Sequence, residues 1–497
     1  MTVRKIFGPP GTGKTRRLME LVEEEVRAGT PLERIAYLSF SRSAAEVIRE
    51  RMNASDEDVR WFRTIHGACV KVLGLSGAII DWSDYRKFSQ ATGMKISPRE
   101  LDEDMEGAYN VTMHAYNLSL AKQEPLDDVL RSLAYNVNLS KGRVNFFIER
   151  WLAYKKEVRK FDFMDMLTEF VDHGSALPCD VVFLDEAQDL SVLQWKVFDI
   201  MAANAKRVYM AGDDDQAIYG FIGGSEFGFL DRPCDEEELL TKSWRVPNDI
   251  GLIADRVIAG VSHRKHKEVI WREGDGDVMR LSLEATTLPW RNWLERYESI
   301  MVLCRHRGLA RKFSDDLHTI HVGHALHGES PSSWKEARFV RTFEKLRSGQ
   351  TVTPKQAGDL LLAFGRRDQS MRERNRRDRI SADMLEINFE ARDWPIIMGR
   401  GDVTKTRKYE ILRRIIDDGG EKALDNEAKI NISTMHAAKG KEADLVIILP
   451  ECNATVRNNL RSATETRLAY VALTRAKKQV ALLLPRSDSY MTHFFGG

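Results

Sequence analysis

The sequence has few cysteines, almost no net charge and no long apolar run. Its five cysteines lie far apart and form no C-x-x-C pair. That usage is typical of a reducing compartment and argues against a disulfide framework or a zinc–cysteine site. No apolar run approaches the roughly 18 residues that a membrane span requires, so we expect no membrane association. The formal net charge is +1, so any nucleic-acid surface must be local.

Length and composition predict a globular protein of several domains. Apolar residues make up 43% and charged residues 30% of the chain, as in ordinary folded proteins. A chain of 497 residues exceeds what one hydrophobic core organises and suggests about three domains. Residues 1–5 lead directly into an apolar run, which leaves no room for a signal peptide, so we expect a cytoplasmic protein.

Residues 8–15 fit the pattern G-x-x-x-x-G-K-[ST] of a phosphate-binding loop. The apolar pair Ile6-Phe7 precedes them and a helical pattern follows, a context that a chance match in a turn would lack. Backbone N–H groups and the helix dipole favour an anion here. Lys14 is expected to reach the β- and γ-phosphates, and the Thr15 hydroxyl to bind Mg²⁺. The predicted nucleotide-binding residues of this loop are Gly8, Pro9, Pro10, Gly11, Thr12, Gly13, Lys14 and Thr15.

A second strand over 33–40 and a helix over 41–48, with Ser41 as its N-cap, predict the start of a doubly wound parallel sheet. A later apolar strand, 179–186, ends in Asp185 and Glu186. A carboxylate at such a strand end is placed to hold Mg²⁺, which we assign to Asp185. Glu186 is the candidate general base for an attacking water. An acidic strand end facing solvent is the alternative.

The strand at 207–211 runs into a loop of glycine, acids, an amide and two aromatics. This composition is typical of a sensor joined to a stacking platform, since bases stack on aromatic rings regardless of sequence. Core packing of Tyr219 and Phe221 is the alternative.

The second half repeats the α/β pattern without a second phosphate loop. Strands are predicted at 299–305, 429–436, 444–450 and 479–484, and a helix at 466–475. A mainly helical insertion interrupts the first half at 81–159, where basic faces are read as solvated in preference to DNA-binding. The pattern breaks again between 325 and 427.

Two features of the second half are candidates for a binding site. Residues 364–379 hold seven arginines and three acids, which favours a solvated helix over a phosphate-contacting patch. Histidines 318, 321, 324 and 327 recur every third residue, but no Cys, Asp or Glu completes a clear ligand set, so a metal site is disfavoured.

In order and spacing these motifs resemble the superfamily 1A DNA helicases, the UvrD/Rep/PcrA group. The resemblance covers most of 1–75, 160–260, 296–312 and 429–484. It implies an α/β fold with two RecA-like doubly wound parallel-sheet motor domains, each with a mainly helical insertion. The implied domains are motor domain 1A at 1–80 and 160–240, insertion 1B at 81–159, motor domain 2A at 241–324 and 429–497, and a short insertion 2B at 325–428.

The resemblance implies further roles around the nucleotide. Arg16 matches an arginine that reaches the base and sugar, and Trp244 an aromatic against adenine. Gln216 matches the γ-phosphate sensor of G-D-x-D-Q-x-I-Y. Arg245 and Arg475 match arginines that come across from the second motor domain. Residues 185–189 match D-E-x-Q-D, and residues 433–442, which end in the nucleotide-site residue Glu442, resemble T-x-H-x-A-K-G-x-E.

The resemblance also implies a DNA-binding set. Residues 39–41 with Ala44-Ala45 resemble T-F-T-x-x-A-A, whose phenylalanine stacks on single-stranded DNA, and residues 64–66 resemble a T-F-H strand contact. Residues 161–167 resemble D-F-x-D-L-L. The DNA-binding residues so implied are Phe40, Thr64, His66, Tyr219, Phe221, Thr434 and His436.

The implied function is that of a DNA-dependent ATPase and 3′→5′ DNA helicase. Mg²⁺ and ATP are the implied cofactors, bound between the motor domains. Single-stranded DNA and single-strand/duplex junctions are the implied partners, and we expect a monomer in the absence of DNA. The alternative is a DNA-stimulated ATPase subunit of a repair, replication or phage-defence complex that translocates or strips proteins but unwinds poorly alone. A small-molecule kinase is disfavoured by the second arginine-bearing domain.

Three departures from the family pattern stand out. Only seven residues precede Gly8, so we expect the upstream glutamine motif that reads adenine to be missing. The family's W-R-G-A is Phe221-Ile222-Gly223-Gly224 here, without its arginine. The second insertion, at about 100 residues, is shorter than the family's usual one.

Overall fold

Apolar strands that alternate with amphipathic helices build two parallel sheets, which we analysed in a computed structural model. The structure describes residues 1–40, 55–96, 108–133, 141–274, 276–282, 284–368, 371, 374–375, 377–390, 393–425, 428–452, 456 and 462–484. The predicted helix at 41–48 and its motif residues Ser41, Ala44 and Ala45 lie outside the described residues, as does part of the arginine-rich stretch. None of the described helices is both long and apolar enough to cross a membrane.

The first sheet has six strands in the order β3-β2-β4-β5-β1-β6, and all of its pairings in the described chain are parallel. Its strands are β1 (Thr2–Phe7), β2 (Ile35–Ser39), β3 (Phe62–Thr64), β4 (Val181–Asp185), β5 (Arg207–Gly212) and β6 (Glu236–Leu239). β2 and β4 are buried along their whole length, because helices cover both faces of a parallel sheet.

The described part of residues 1–276 contains nine α-helices, which cover the first sheet or follow its strands along the chain. They are α1 (Lys14–Arg27), α2 (Ile65–Leu73), α3 (Trp82–Thr92), α4 (Ala108–Lys122), α5 (Leu126–Leu133), α6 (Lys141–Val158), α7 (Phe163–His173), α8 (Val192–Ala202) and α9 (Asn248–Ile258). In the described part of the predicted insertion at 81–159, the regular elements are the helices α3 to α6. A small parallel pair, β7 (Lys242–Pro247) and β8 (Ile270–Arg272), flanks α9.

The second sheet also has six parallel strands, in the order β11-β12-β10-β13-β14-β9. Its strands are β9 (Asp277–Leu281), β10 (Ile300–Cys304), β11 (Ala325–Leu326), β12 (Ile430–Thr434), β13 (Ala443–Ile448) and β14 (Ala476–Leu483). The remaining helices are α10 (Trp290–Arg296), α11 (Arg307–Thr319), α12 (Lys335–Arg347), α13 (Pro354–Ala363), α14 (Trp394–Gly399), α15 (Val403–Gly419) and α16 (Ala463–Leu473). The predicted α/β class with parallel sheets is confirmed.

The chain divides into two compact units. The first runs to Gly276 and includes α16; the second runs from Asp277 and includes β14. The predicted limit of the first motor domain at residue 240 therefore falls inside the first unit, because α9 packs against β7, β8 and α16. The domain boundaries of the sequence analysis stay a prediction.

Candidate functional site

Five neighbouring strands of the first sheet end in register. Phe7 at the end of β1 lies opposite Gly212 of β5. Ser39 at the end of β2 lies opposite both Asp185 of β4 and Thr64 of β3. Because the strands are parallel, the loops that follow them meet at one edge of the sheet, where such folds bind ligands. The phosphate loop, the two acids, the sensor loop and Phe40 all leave the sheet at this edge.

The phosphate loop has the backbone that an anion cradle requires. Gly11 and Gly13 take left-handed conformations, with φ of 76° and 88°, and α1 begins at Lys14. A Cβ atom on Gly8 would lie 2.3 Å from Cγ of Lys14. Lys14 Nζ donates to the carbonyl oxygen of Gly8 at 2.7 Å, so the ammonium group already lies over the loop. This geometry fits the phosphates of a nucleotide.

Two further predicted residues of the loop bond to each other. The Thr12 hydroxyl donates to the carbonyl oxygen of Pro9 at 2.8 Å.

Arg16 points to solvent and pairs with Glu20 one helical turn later at 3.1 Å. The Arg16 side chain therefore does not pack on the sheet, and it lies within one helical turn of the phosphate loop.

Asp185 is held by three hydrogen bonds in a buried position. Its Oδ2 accepts from the hydroxyls of Thr15 and Tyr37, both at 2.8 Å, and its Oδ1 accepts from the backbone N–H of Glu186 at 2.9 Å. Burial and the neighbouring Glu186 carboxylate raise the pKa of Asp185. A divalent cation would offset both effects, and hydroxyl and carboxylate oxygens are the ligands that Mg²⁺ prefers. Thr15 and Asp185 therefore fit the predicted metal site.

Tyr37, a further residue of the site, carries no signal in the sequence, because it resembles any other buried residue of an apolar strand. The tyrosine is fully buried, and its side chain lies on the same side of β2 as that of Ser39. Burial and Asp185 raise the pKa of Tyr37 well above its usual value. The phenol therefore remains a proton donor to Asp185 at any physiological pH.

Hydrogen bonds join the predicted general base to the predicted sensor. Gln188 Nε2 donates to Oε2 of Glu186 at 2.6 Å, and Gln188 Oε1 accepts from the backbone N–H of Asp213 at 3.0 Å. Asp213 Oδ2 in turn accepts from Nε2 of Gln216 at 2.7 Å. Glu186 itself takes a left-handed conformation with φ of 54°, which is uncommon outside glycine. The structure thus brings Glu186 and Gln216 into one network.

Three of the predicted DNA-binding residues form one aromatic cluster. The rings of Phe40 and Tyr219 stack with their centroids 5.3 Å apart and their planes 21° apart. The Phe221 ring lies 6.2 Å from that of Tyr219. All three residues are half-buried, and their role in stacking on bases stays a prediction.

Thr64, which lies opposite Ser39, caps α2, and His66 lies in the first turn of that helix. The Thr64 hydroxyl oxygen caps the helix by accepting from the backbone N–H of Gly67 at 3.1 Å. The His66 ring packs edge-on against Phe163 with centroids 5.4 Å apart. Burial lowers the pKa of His66 to about 4, so its ring is neutral at physiological pH.

Trp244 and Arg245 lie against the phosphate loop, in the same compact unit. The backbone N–H of Trp244 donates to the carbonyl oxygen of Gly11 at 2.9 Å, and the Ser243 hydroxyl donates to that of Pro10 at 2.8 Å. A Cβ atom on Gly11 would lie 2.5 Å from Cβ of Arg245. Arg245 lies on β7, which packs on the phosphate loop within the same compact unit, and its expected place in the second motor domain stays a prediction. Trp244 is 65% exposed, and the ammonium group of Lys242 lies 4.1 Å from the centroid of its ring.

The second unit holds the other four predicted residues at two edges of its sheet. Arg475 is buried and immediately precedes β14, and its carbonyl oxygen accepts from the N–H of Ala443 at 3.1 Å. Glu442, exposed, immediately precedes β13. Thr434, the last residue of β12, and His436, just after it, lie at the opposite, carboxyl edge. Glu442 and Arg475 are therefore neighbours, and the predicted DNA contacts of this unit are separate from them.

The D-F-x-D-L-L stretch forms an anchor rather than a ligand site. Lys155 of α6, buried, lies 2.6 Å from carboxylate oxygens of both Asp162 and Asp165, and the Trp151 indole N–H donates to Asp162 at 2.9 Å. Asp162 and Asp165 also form the capping box of α7. This cluster ties the helical insertion to the first sheet domain.

The histidines of the second unit pair separately. His324 Nε2 and the Ser314 hydroxyl lie 2.7 Å apart, and His321 lies 2.7 Å from a carboxylate oxygen of Glu410. Among the described residues, no group of three or more His, Cys, Asp or Glu side chains is arranged to hold a metal ion.

Comparison with known proteins agrees with this geometry. The family model described as the UvrD/REP helicase N-terminal domain matches residues 2–233. The model described as the UvrD-like helicase C-terminal domain matches residues 402–486. Together the two models cover well over half of the chain.

Curated relatives include proteins named ATP-dependent DNA helicase PcrA. The protein from Leuconostoc citreum is 26% identical over 297 residues, which are 55% of this chain and 39% of that protein. The protein from Staphylococcus aureus strain Mu50 is 22% identical over 347 residues, which are 62% of this chain and 44% of that protein. The aligned part thus spans less than half the length of these relatives. On the two family models and the motifs that carry them, the chain belongs to the UvrD/REP family of superfamily 1 helicases.

Proposed function

We propose that the chain is an ATP-dependent DNA helicase that moves 3′→5′ along single-stranded DNA and separates duplex strands. One observation carries the proposal: the loop from Asp213 to Phe221 joins the nucleotide network to the aromatic cluster. In the first part of this loop, Gln216 is hydrogen-bonded to Asp213 and so belongs to the network that includes Glu186. In its last part, the Tyr219 ring stacks on the Phe40 ring. The PcrA relatives, which are named ATP-dependent DNA helicases, support the same activity.

The residues at the sheet edge divide the chemistry among them. Mg²⁺, when bound at Thr15 and Asp185, supplies charge neutralisation for the phosphates. Lys14 exchanges its bond with the Gly8 carbonyl for a phosphate oxygen. Glu186 accepts the proton of the attacking water. Gln216 orients toward the γ-phosphate from its anchor on Asp213.

Coupling to DNA follows from the shared loop. A change in the position of Gln216 moves the chain segment that contains Tyr219 and Phe221, which lie three and five residues further along the chain. Bases that stack on these rings and on Phe40 need no particular sequence, at about 1–3 kcal/mol per base. Phosphate contacts make such binding strongly salt-dependent.

The residues of the second unit enter the proposal from the family pattern. Arg475 and Glu442 are assigned to the nucleotide, and Thr434 and His436 to DNA. ATP as the nucleotide, DNA junctions as partners, a monomer in the absence of DNA, and the cytoplasm as compartment belong to the same proposal.

A DNA-stimulated ATPase subunit that unwinds poorly alone is the second candidate. Ile222 favours it, because the family has an arginine at that place in W-R-G-A. The adjoining Gly223 is fitted to α4: its φ is 94°, and a Cβ atom there would lie 2.5 Å from Cβ of Ala121. Ile222, which is next to this contact, has no positive charge to bind a phosphate, unlike the family's arginine.

Strand displacement by the purified chain separates the two candidates. Duplexes with 3′ or 5′ single-stranded tails are mixed with the protein, Mg²⁺ and ATP, and hydrolysis is followed in parallel. Displacement of the 3′-tailed duplex alone supports the proposal. DNA-stimulated hydrolysis without displacement on either duplex supports the second candidate, and preference for the 5′ tail refutes the polarity.

Lys14→Ala is the matched control for both outcomes. We expect the variant to lose hydrolysis while it binds single-stranded DNA as the wild type does, because the Lys14 ammonium group bonds to Gly8 of the phosphate loop and is not part of the aromatic cluster. Loss of hydrolysis and DNA binding together would indicate misfolding and is checked by thermal unfolding.

A further inference from the structure

The sensor loop, residues 213–221, begins with three consecutive aspartates whose carboxylates are buried. Asp213, Asp214 and Asp215 are 0%, 1% and 0% exposed. The ammonium group of Lys267 contacts all three: it lies 2.9 Å from Asp213 Oδ1 and 2.8 Å from Asp215 Oδ2, and it bonds to Asp214 Oδ1. Its side chain is 1% exposed. Three neighbouring buried carboxylates thus share one buried cation.

Arg264 supplies a second cation to the cluster. Its Nε and one terminal nitrogen bond to the two oxygens of Asp215, at 2.7 and 2.5 Å. The backbone N–H of Lys265 donates to Asp214 Oδ2 at 2.8 Å. Segment 264–267 therefore reaches every carboxylate of the loop. Burial alone lowers the pKa of Lys267, but the three carboxylates outweigh it and raise that pKa above its usual value.

The cluster continues into the nucleotide network through Asp213. One oxygen of its carboxylate contacts Lys267, and the other accepts from the side-chain amide of Gln216. The backbone N–H of the same residue donates to Gln188, whose amide holds Glu186. A shift of this carboxylate would move the predicted sensor and the predicted base together.

We propose that Lys267 and Arg264 are positioning residues for hydrolysis, which set Gln216 and Glu186 through Asp213 and Asp215. The inference rests on the proposed function, since it assigns a role within that same site. Neither side chain touches the nucleotide in this assignment. A purely structural role is the competing explanation, because breaking a buried ion cluster destabilises a protein whether or not the cluster serves catalysis.

The test separates positioning from stability by its choice of variants. Lys267→Met removes the shared cation. The double variant Lys267→Met with Asp214→Asn also removes one carboxylate charge, so the net charge of the cluster is unchanged, which protects the fold. Asp214→Asn alone is the background for the double variant. Lys265→Met is the matched control, because the neighbouring Lys265 ammonium pairs with Glu237 outside the cluster. Arg264→Lys keeps the charge but loses the paired contacts with Asp215.

Three quantities are measured with Mg²⁺ present: the affinity for ADP, the gain in affinity when beryllium fluoride mimics the γ-phosphate, and the DNA-stimulated kcat. We expect the Lys267 variants to bind ADP as their backgrounds do, to lose the beryllium fluoride gain, and to lower kcat about tenfold to a hundredfold, as small misplacements of catalytic groups do. Arg264→Lys is expected to change in the same direction, and Lys265→Met to match the wild type.

The outcomes are distinct. A folded double variant with the kcat and the beryllium fluoride gain of Asp214→Asn overturns the inference while the proposed function stands. If Lys267→Met does not fold, the double variant and Arg264→Lys decide by the same criterion, and wild-type values in whichever of them folds overturn it. A wild type that neither binds nucleotide nor hydrolyses ATP refutes the proposed function, and the inference falls with it.

Discussion

Removing one hydroxyl beside Asp185 tests the predicted metal site directly. Tyr37→Phe keeps the ring, which stacks on Phe183 with centroids 6.2 Å apart, and deletes only the donor to Asp185 Oδ2. Thr15 is expected to turn toward the metal when Mg²⁺ binds. Tyr37 then remains the one side chain among the described residues that is seen to fix this oxygen of Asp185.

The magnitude follows from the type of bond lost. A hydrogen bond to a charged group contributes about 1.5–3 kcal/mol. Partners that orient a metal ligand change metal affinity about tenfold to a hundredfold, which is the same range of free energy. We therefore expect Tyr37→Phe to raise the Mg²⁺ concentration needed for half-maximal nucleotide binding by at least about tenfold. The free energy of unfolding should fall by only about 1–2 kcal/mol, because Asp185 keeps two donors.

The assay titrates Mg²⁺ against binding of a fluorescent, non-hydrolysable ATP analogue, and urea unfolding runs beside it. Tyr209→Phe is the matched control: Tyr209 lies on a neighbouring strand, stacks on the same Phe183 at 4.8 Å, and donates to Glu25 instead, at 2.8 Å. Its variant should lose a comparable amount of stability and keep the wild-type Mg²⁺ dependence. Equal Mg²⁺ dependence in the two variants would refute the assignment of Asp185.

Two further predictions concern DNA and the helical insertion. Phe40→Ala should weaken single-stranded DNA binding by about 1–3 kcal/mol in fluorescence anisotropy, whereas Phe227→Ala, at an exposed ring outside the aromatic cluster, should not; equal losses would contradict the stacking role. Lys155→Met should lower the free energy of unfolding by about 3–5 kcal/mol in urea titration, because it removes the cation that pairs with the buried Asp162 and the partly exposed Asp165, and the exposed neighbour Lys156→Met should be near neutral. Equal stability of those two lysine variants would exclude the anchor.

The parts of the site that lie within one short stretch were predictable from the sequence. The phosphate loop depends on residues 8–15 alone, whose glycines and lysine are fixed by local backbone geometry. Asp185 and Glu186 were found because an apolar strand that ends in acids has few other uses beside a phosphate loop. Strand ends in a parallel sheet meet at one edge, so their convergence followed from the α/β pattern.

Contacts between distant segments escaped the sequence analysis. Tyr37 bonds to Asp185 across 148 positions, and Lys267 bonds to Asp214 across 53. A tyrosine in an apolar strand usually packs, and a lysine in a charged stretch usually faces solvent. Only the fold reveals that these two polar groups are enclosed with carboxylates, so no local signal distinguishes them from their neighbours.

The same limit applies to the contact between β7 and the phosphate loop. The Ser243 hydroxyl donates to the carbonyl oxygen of Pro10 across 233 positions, and a Cβ atom on Gly11 would lie 2.5 Å from Cβ of Arg245. The sequence links Trp244 and Arg245 to the nucleotide only through the family motif, because no local pattern shows that their strand reaches residues 10 and 11. The structure adds the physical reason: Gly11 has a positive φ and no space for a side chain, so this glycine both shapes the loop and admits β7 against it.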